Sequence, residues 1–138
     1  MVGSIINTAL SGLAAASKKV EAAASNIANL QTSGSLEEGK QAPYTPITTQ
    51  QTAITDQNGN GQGVHSGFIA KEQPFTPRFD PDSPFANADG IIGVPNINLA
   101  EEVVNLMVAE LSYKANIQTL KVSEELSNEL LSILDKEA

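Results

Sequence analysis

Apolar residues return on a seven-residue beat at the start of the chain. Ile6, Leu13, Val20 and Ile27 form one row, and Ala9, Ala16, Ala23 and Leu30 each follow three residues later. This is an a/d stripe with mostly alanine at d, so a partner helix can approach closely. The spacing predicts a helix from near Ser4, a suitable N-cap, that fades around Gln31–Gly34 and spans on the order of 40 Å. A helix with a single apolar stripe is marginal alone in water and needs packing to persist.

Between Ser33 and Pro46 the pattern dissolves into Ser, Gly, Glu, Gln and Pro, which reads as a linker. Tyr44 to Ile54 then has β-type content, Asp56 to Gly63 is a dense turn cluster, and Val64 to Ala70 reads as a returning strand. Together they predict a β-hairpin. Pro74, Pro77, Pro81, Pro84 and Pro95 make the following stretch extended and non-helical.

Helical periodicity resumes at Leu99. Asn98 can cap the helix, Glu101 at N3 can complete a capping-box-like arrangement, and Glu102 adds favourable charge near the N-terminus. Val103, Leu106, Met107, Leu111, Ile117 and Leu120 carry the stripe onward. It turns polar at Ser123–Glu125 and resumes with Leu126, Leu130, Leu131, Ile133 and Leu134, a break that marks a phase slip or a change of partner. The expected fold is mainly α with a small β insert. Long terminal helices (1–32 and 99–138) pack as an antiparallel, coiled-coil-like pair, and residues 33–98 hold the linker, a central β-hairpin and the extended insert.

Composition sharpens this reading. Aromatic residues are 4 % of the chain and tryptophan is absent, so any core is built from Ile, Leu, Val and Ala, and the middle segment is poorly supplied. The net charge of −8 is uneven: 1–32 carries +1, 33–99 carries −4 and 100–138 carries −5. Arg78 is the sole arginine and there is no basic patch, which argues against nucleic acid. With no cysteine, disulfides, thiolate metal sites and cysteine nucleophiles are excluded. The start of the chain has no positive charge before Lys18 and does not resemble a cleaved secretory signal; no apolar run is long enough to insert into a membrane.

Candidate chemistry is sparse. Asp56-x-Asn58-x-Asn60-Gly61 matches the first half of a calcium loop, but position 12 is Gly67 and the flanks read as strands, so a hairpin tip is the better reading. His65, the only histidine, has no nucleophile motif beside it, and Asp80, Asp82 and Asp89 sit in turn-rich surroundings. No catalytic residue, cofactor or metal site is expected. Asn26 and Asn29 are more informative, because two amides three residues apart share one helical face. They either end the helix or set register between packed helices.

Ala24-Ser25-Asn26-Ile27-Ala28-Asn29 with Thr32, led in by Ala9-Leu10-Ser11-Gly12-Leu13, resembles the N-terminal signature of the bacterial flagellar rod, hook and hook-associated axial family. Asp80-Pro81, Pro84, Gly90 and Pro95-Asn96-Ile97-Asn98, running into Glu101-Glu102-Val103-Val104-Asn105-Leu106-Met107 and Ser112-Tyr113-Lys114-Ala115-Asn116, resemble its proximal rod (protein C) branch. Departures occur at Ser83, Ile91, Leu111 and the run Lys121, Val122, Glu124, so assembly role transfers better than individual contacts.

The resemblance implies a structural, non-enzymatic subunit of the basal-body rod, exported unfolded through the flagellar export apparatus without a cleaved signal. In the periplasm it would join copies of itself and neighbouring rod proteins in a torque-transmitting tube. Its assembly residues would be Ile6, Leu13, Val20, Ile27, Val103, Leu106, Leu111, Ile117 and Leu120, with Asn26, Asn29, Tyr113 and Asn116 setting register. A competing reading is a soluble helical adaptor whose β-hairpin binds a ligand. The rod reading predicts that Leu13→Asp abolishes incorporation into basal bodies; normal rods and motility in that mutant would sink it.

Overall fold

The computed structural model describes residues 2–137. In chain order it holds helix α1 (Val2–Ala28), strands β1 (Ile47–Thr55), β2 (Gly61–Ala70), β3 (Phe75–Phe79) and β4 (Ile91–Pro95), and helix α2 (Leu99–Glu137). The expected class, two long terminal helices around a small β insert, is the one observed.

Helix α1 is proline-free and rich in alanine, the residue that loses least on entering a helix. It begins at Val2 rather than at the expected Ser4 cap, whose carbonyl instead accepts the Thr8 hydroxyl at 2.9 Å inside the helix. It ends at Ala28, a turn earlier than its periodicity suggests. There the Asn29 side-chain amide donates to the Ser25 carbonyl at 2.9 Å, an acceptor already taken by the Asn29 backbone N–H at 3.1 Å, and so adds a second bond at the last turn.

Helix α2 starts as expected. Asn98 Oδ1 accepts from the backbone N–H of Ala100 at 3.0 Å and of Glu101 at 3.4 Å. The reciprocal half of a capping box is not made, because the Glu101 carboxylate pairs with Lys71 at 3.3 Å.

The helices run antiparallel. Asn26 meets Glu102 and Gly12 approaches Asn116, so two heptads back along α1 is two heptads forward along α2. A β-carbon added at Gly12 would lie 2.5 Å from Asn116 Oδ1, which records how near the helices come. With 39 residues against 27, α2 outruns α1, and its tail beyond Leu126 projects past the start of α1.

Strands β1 and β2 form the expected hairpin, with a register irregularity between Ile54 and Thr55. Its tip is built by Asp56, whose carboxylate accepts from the N–H of Asn58 and Asn60 at 2.8 and 2.9 Å and from the Asn60 amide at 2.9 Å. The Asn60 side chain first, and these backbone donors with it, hold the Asp56 carboxyl below its ordinary range. That carboxylate serves the turn.

The hairpin lies along α1. Val64 N–H donates to Ser11 Oγ at 3.1 Å, Lys18 Nζ donates to the Ser66 carbonyl, and its ammonium sits 5.6 Å over the Phe68 ring. Gly63, at φ +128°, touches Ser11 so closely that an added β-carbon would lie 2.3 Å from its Oγ.

The stretch expected only to be extended pairs into a second antiparallel ribbon, β3 with β4. Pro77 is tolerated there because a two-stranded ribbon leaves one edge of β3 unpaired. The presumed linker is also ordered. Gly34 and Gly93 exchange backbone hydrogen bonds of 3.0 and 2.8 Å, and the side chain of Ile92 in β4 is fully buried.

A β-carbon on Gly34 would sit 2.3 Å from the Pro43 nitrogen and 2.4 Å from the Ala42 carbonyl carbon. These are backbone atoms that cannot step aside. Gly34→Ala is therefore expected to destabilise the chain by about 1–3 kcal/mol, read as a lower urea midpoint. An unchanged midpoint would show that the bridge is not as tight as described.

Candidate assembly surface

The two helices divide their side chains by size. On α1, Ala9, Ala15, Ala16, Ala22 and Ala23 are buried together with Asn26. Ala9, Gly12, Ala16, Ala23 and Asn26 face α2, while Ala15 and Ala22 lie on the hairpin side with Ser11 and Lys18. On α2 the positions facing α1 repeat every seventh residue: Glu102, Ala109 and Ser123 are buried and Asn116 is half-buried. The contact between the helices is thus made of small and polar residues.

Large apolar residues point elsewhere. Val103, Val104, Met107, Val108, Leu111, Val122, Leu126, Leu130, Leu131, Ile133 and Leu134 of α2 are exposed, Leu111 to 70 %. On α1, Ile5, Leu10 and Val20 are exposed. Val104, Val108, Leu111, Ala115, Gln118 and Val122 alternate at four- and three-residue steps and so line one face of α2. Ile6, Leu10, Leu13, Ser17, Val20, Ala24 and Ile27 do the same on α1. Neither row contains a charge. A helix that is apolar around most of its circumference is ordinarily covered on more than one side.

At the end where α2 outruns α1, Ile5, Ala115, Val122, Ser123 and Leu126 line an apolar groove of about 440 Å³, and Ser123 Oγ is buried there without a hydrogen-bond partner.

The proposed assembly residues fall into three settings. Val20, Val103, Leu111 and Tyr113 are exposed; Ile6, Leu13, Ile27, Asn29, Leu106, Asn116, Ile117 and Leu120 are half-buried; Asn26 is fully buried. The Ile6–Leu13–Val20–Ile27 row therefore lies at the edge of the contact, with Val20 exposed and the other three half-buried, and the alanines three residues later are buried.

Asn26 is the polar centre of the fold. Its amide nitrogen donates to the Ile47 carbonyl at 2.7 Å and to Glu102 Oε1 at 2.9 Å. Its oxygen accepts from Ile47 N–H at 2.9 Å and from the Tyr44 hydroxyl at 3.1 Å. All the donor and acceptor capacity of the amide is used, and the backbone of the first residue of β1 is held through both its polar groups.

Glu102 in turn accepts from Lys71 at 3.0 Å and from Asn105 at 3.4 Å. Burial opposes the Lys71 charge, but the hydrogen bonds and fields of Glu102 and Glu101 outweigh it and hold its ammonium above the ordinary lysine range. Three segments meet at this one point: the end of α1, both roots of the hairpin and the start of α2. Glu102, Lys71 and Tyr44 were not singled out as a site from the sequence. The available signal was a glutamate standing on the same seven-residue spacing as Ala109, Asn116 and Ser123.

Among the described residues no group of three or more His, Asp or Glu side chains is arranged to hold a metal ion. Among the same residues no helix is long and apolar enough to cross a membrane.

Two family profiles match the chain. Residues 6–34 match the family profile described as "Flagella basal body rod protein", and residues 88–133 match "Flagellar basal body rod FlgEFG protein C-terminal". The two matched stretches contain most of both helices. The flagellar basal-body rod protein FlgC of Buchnera aphidicola (from Acyrthosiphon pisum) is 35 % identical over 94 % of this chain and 95 % of its own length. FlgC of Salmonella typhimurium is 33 % identical over 94 % and 95 %, and that of Borreliella burgdorferi 32 % identical over 95 % and 96 %. The chain belongs to the FlgC family. This is a family of structural rod proteins and not of enzymes.

In this FlgC-family chain the buried Asn26 lies inside the first matched segment and Glu102 inside the second. Asn26→Ala is expected to leave Ile47 and Glu102 short of partners and to destabilise the fold by about 3 kcal/mol. Urea unfolding followed by circular dichroism checks this; a loss below about 1 kcal/mol would mean that water replaces the amide freely.

Proposed function

We propose that this chain is a structural subunit of the flagellar rod in the basal body. It builds a helical tube with copies of itself and neighbouring rod proteins through both terminal helices, and the tube transmits torque. One observation carries the reading: the intrachain helix contact uses small and polar residues, while Val104, Val108, Leu111 and Val122 on α2 and Leu10 and Val20 on α1 are exposed. Fully burying one Leu or Val side chain contributes about 1.5–3 kcal/mol, against about 0.8 kcal/mol for an alanine methyl. More stabilisation is therefore available between subunits than within the α1–α2 contact.

The same arithmetic suits export in the unfolded state, without a cleaved signal, followed by folding coupled to assembly in the periplasm. A subunit held together by a weak seam and one polar lock opens readily, and its outward rows become fully ordered only among neighbours.

Leu111→Asp separates the two levels. Because Leu111 is 70 % exposed, the isolated chain is expected to keep its urea midpoint within about 0.5 kcal/mol of wild type. In cells lacking the native subunit the variant should fail to restore rods and swimming. Full motility with this variant would overturn the assignment of the outer α2 face to assembly.

A further inference from the structure

The hairpin tip carries one dipeptide twice, Asn58-Gly59 and Asn60-Gly61, and the fold treats the two copies differently. In such a pair the glycine backbone nitrogen can attack the asparagine side-chain carbonyl carbon, because glycine has no β-carbon to obstruct the approach and reaches the conformations that ring closure needs. We propose that Asn58 is a site of spontaneous covalent modification of this kind, and that Asp56 protects Asn60 from the same reaction.

At Asn58 the Gly59 nitrogen gives up its proton and bonds to Cγ. The Cγ–Nδ2 bond breaks and the amide leaves as ammonia with that proton, so a succinimide ring remains. Water, the only co-reactant, then adds to one of the two ring carbonyls. Opening at Cγ gives aspartate. Opening at the backbone carbonyl gives isoaspartate, in which the main chain runs through the side chain.

Asn58 is open to this step. It is exposed, and among the described residues its side-chain amide makes no hydrogen bond; only its backbone N–H is held, by Asp56 Oδ1 at 2.8 Å. The attacking nitrogen of Gly59 is tied by one exposed turn bond, to the Asp56 carbonyl at 3.1 Å, which water can replace. A β-carbon placed on Gly59 would meet nothing within 4 Å, so no neighbouring side chain shields it. Gly59 also stands at φ +82°, so the turn itself favours the glycine that makes Asn58 reactive.

Asn60 is fastened instead. Its Nδ2, the leaving group, donates to Asp56 Oδ2 at 2.9 Å, its backbone N–H donates to Asp56 Oδ1 at 2.9 Å, and its carbonyl accepts from the Asp56 N–H at 3.0 Å. Its attacking nitrogen belongs to Gly61, which is already in register with Thr55 at the start of β2. Ring closure at Asn60 must open the Asp56 clasp and disturb the end of the hairpin, whereas at Asn58 it breaks the turn bond of Gly59. Conversion of Asn58 places a second negative charge near Asp56, and isoaspartate adds a methylene to the backbone inside the turn; both loosen the tip.

Peptide mass mapping of the full-length chain aged in warm, mildly alkaline buffer tests this, with the same chain aged in concentrated urea as the unfolded reference. Both products are heavier than asparagine by the difference between water and ammonia, and isoaspartate is counted separately by enzymatic methylation. In urea the two sites are expected to convert at equal rates. In native buffer Asn58 is expected to convert about fivefold faster than Asn60, a ratio that one hydrogen bond can sustain, with isoaspartate among its products. Asp56→Ala is expected to raise the Asn60 rate to that of Asn58.

Equal rates in native buffer, faster conversion of Asn60, or an Asn58 that stays intact while the urea sample converts each overturn the proposal. Aspartate without isoaspartate at Asn58 overturns the succinimide route, and an unchanged Asn60 rate in Asp56→Ala overturns the protective role of Asp56.

Discussion

The structure depends on how closely α1 and α2 approach. Gly12 against Asn116, and Ala9, Ala16 and Ala23 along the same seam, leave no room for larger side chains between the axes. A seam of this kind gives modest hydrophobic stabilisation, about 0.8 kcal/mol for each methyl buried, and it fixes position poorly because one alanine resembles the next. Register must therefore come from something that cannot be satisfied one turn away. Asn26 supplies it. An amide with all its hydrogen-bonding capacity used by Glu102, Ile47 and Tyr44 would leave several buried polar groups unpaired if either helix slipped.

The same lock accounts for order in a middle segment that lacks a core of its own. Ile47 and Lys71 are the two roots of the hairpin, and both end at the Asn26–Glu102 pair. Farther out, the hairpin is held to α1 by polar contacts, from Ser11 to the backbone of Val64 and from Lys18 to that of Ser66. The second ribbon is fastened by a backbone exchange between Gly34 and Gly93. In a chain with so few aromatic residues, these hydrogen bonds and close glycine approaches position the insert where apolar packing is scarce.

The elements visible in the sequence were those that write themselves into local pattern. The seven-residue beat marked both helices, Asn98 marked the start of α2, and the Asp56 to Gly63 cluster marked the hairpin tip. The beat did not reveal that its two rows face different ways. Ile6, Leu13, Val20 and Ile27 sit at the boundary between two seams, so they pattern with the buried alanines three residues on and equally with Leu10, Ser17 and Ala24 four residues on.

The β3–β4 ribbon was hidden by Pro77, which in a wider sheet would have argued against a strand. The Gly34–Gly93 bridge uses only backbone and leaves no side-chain signal. Glu102 read as a helix-end charge because its real partner lies 76 residues away.

Small residues inward and large ones outward reverse the usual order of a helix pair, and the reversal has a thermodynamic consequence. On the proposed assembly, exposed apolar surface contributes little to the monomer and becomes stabilising only when a neighbour covers it. Moving leucines into the α1–α2 seam would strengthen the monomer but widen the pair and bury the surface that neighbours need. In the proposed assembly, stability and association then draw on the same side chains and cannot be improved independently. The lock at Asn26 resolves the conflict by specifying the geometry of the pair with hydrogen bonds, which leaves the exposed apolar side chains of the helices, Val104, Val108 and Leu111 among them, for the proposed contact between subunits.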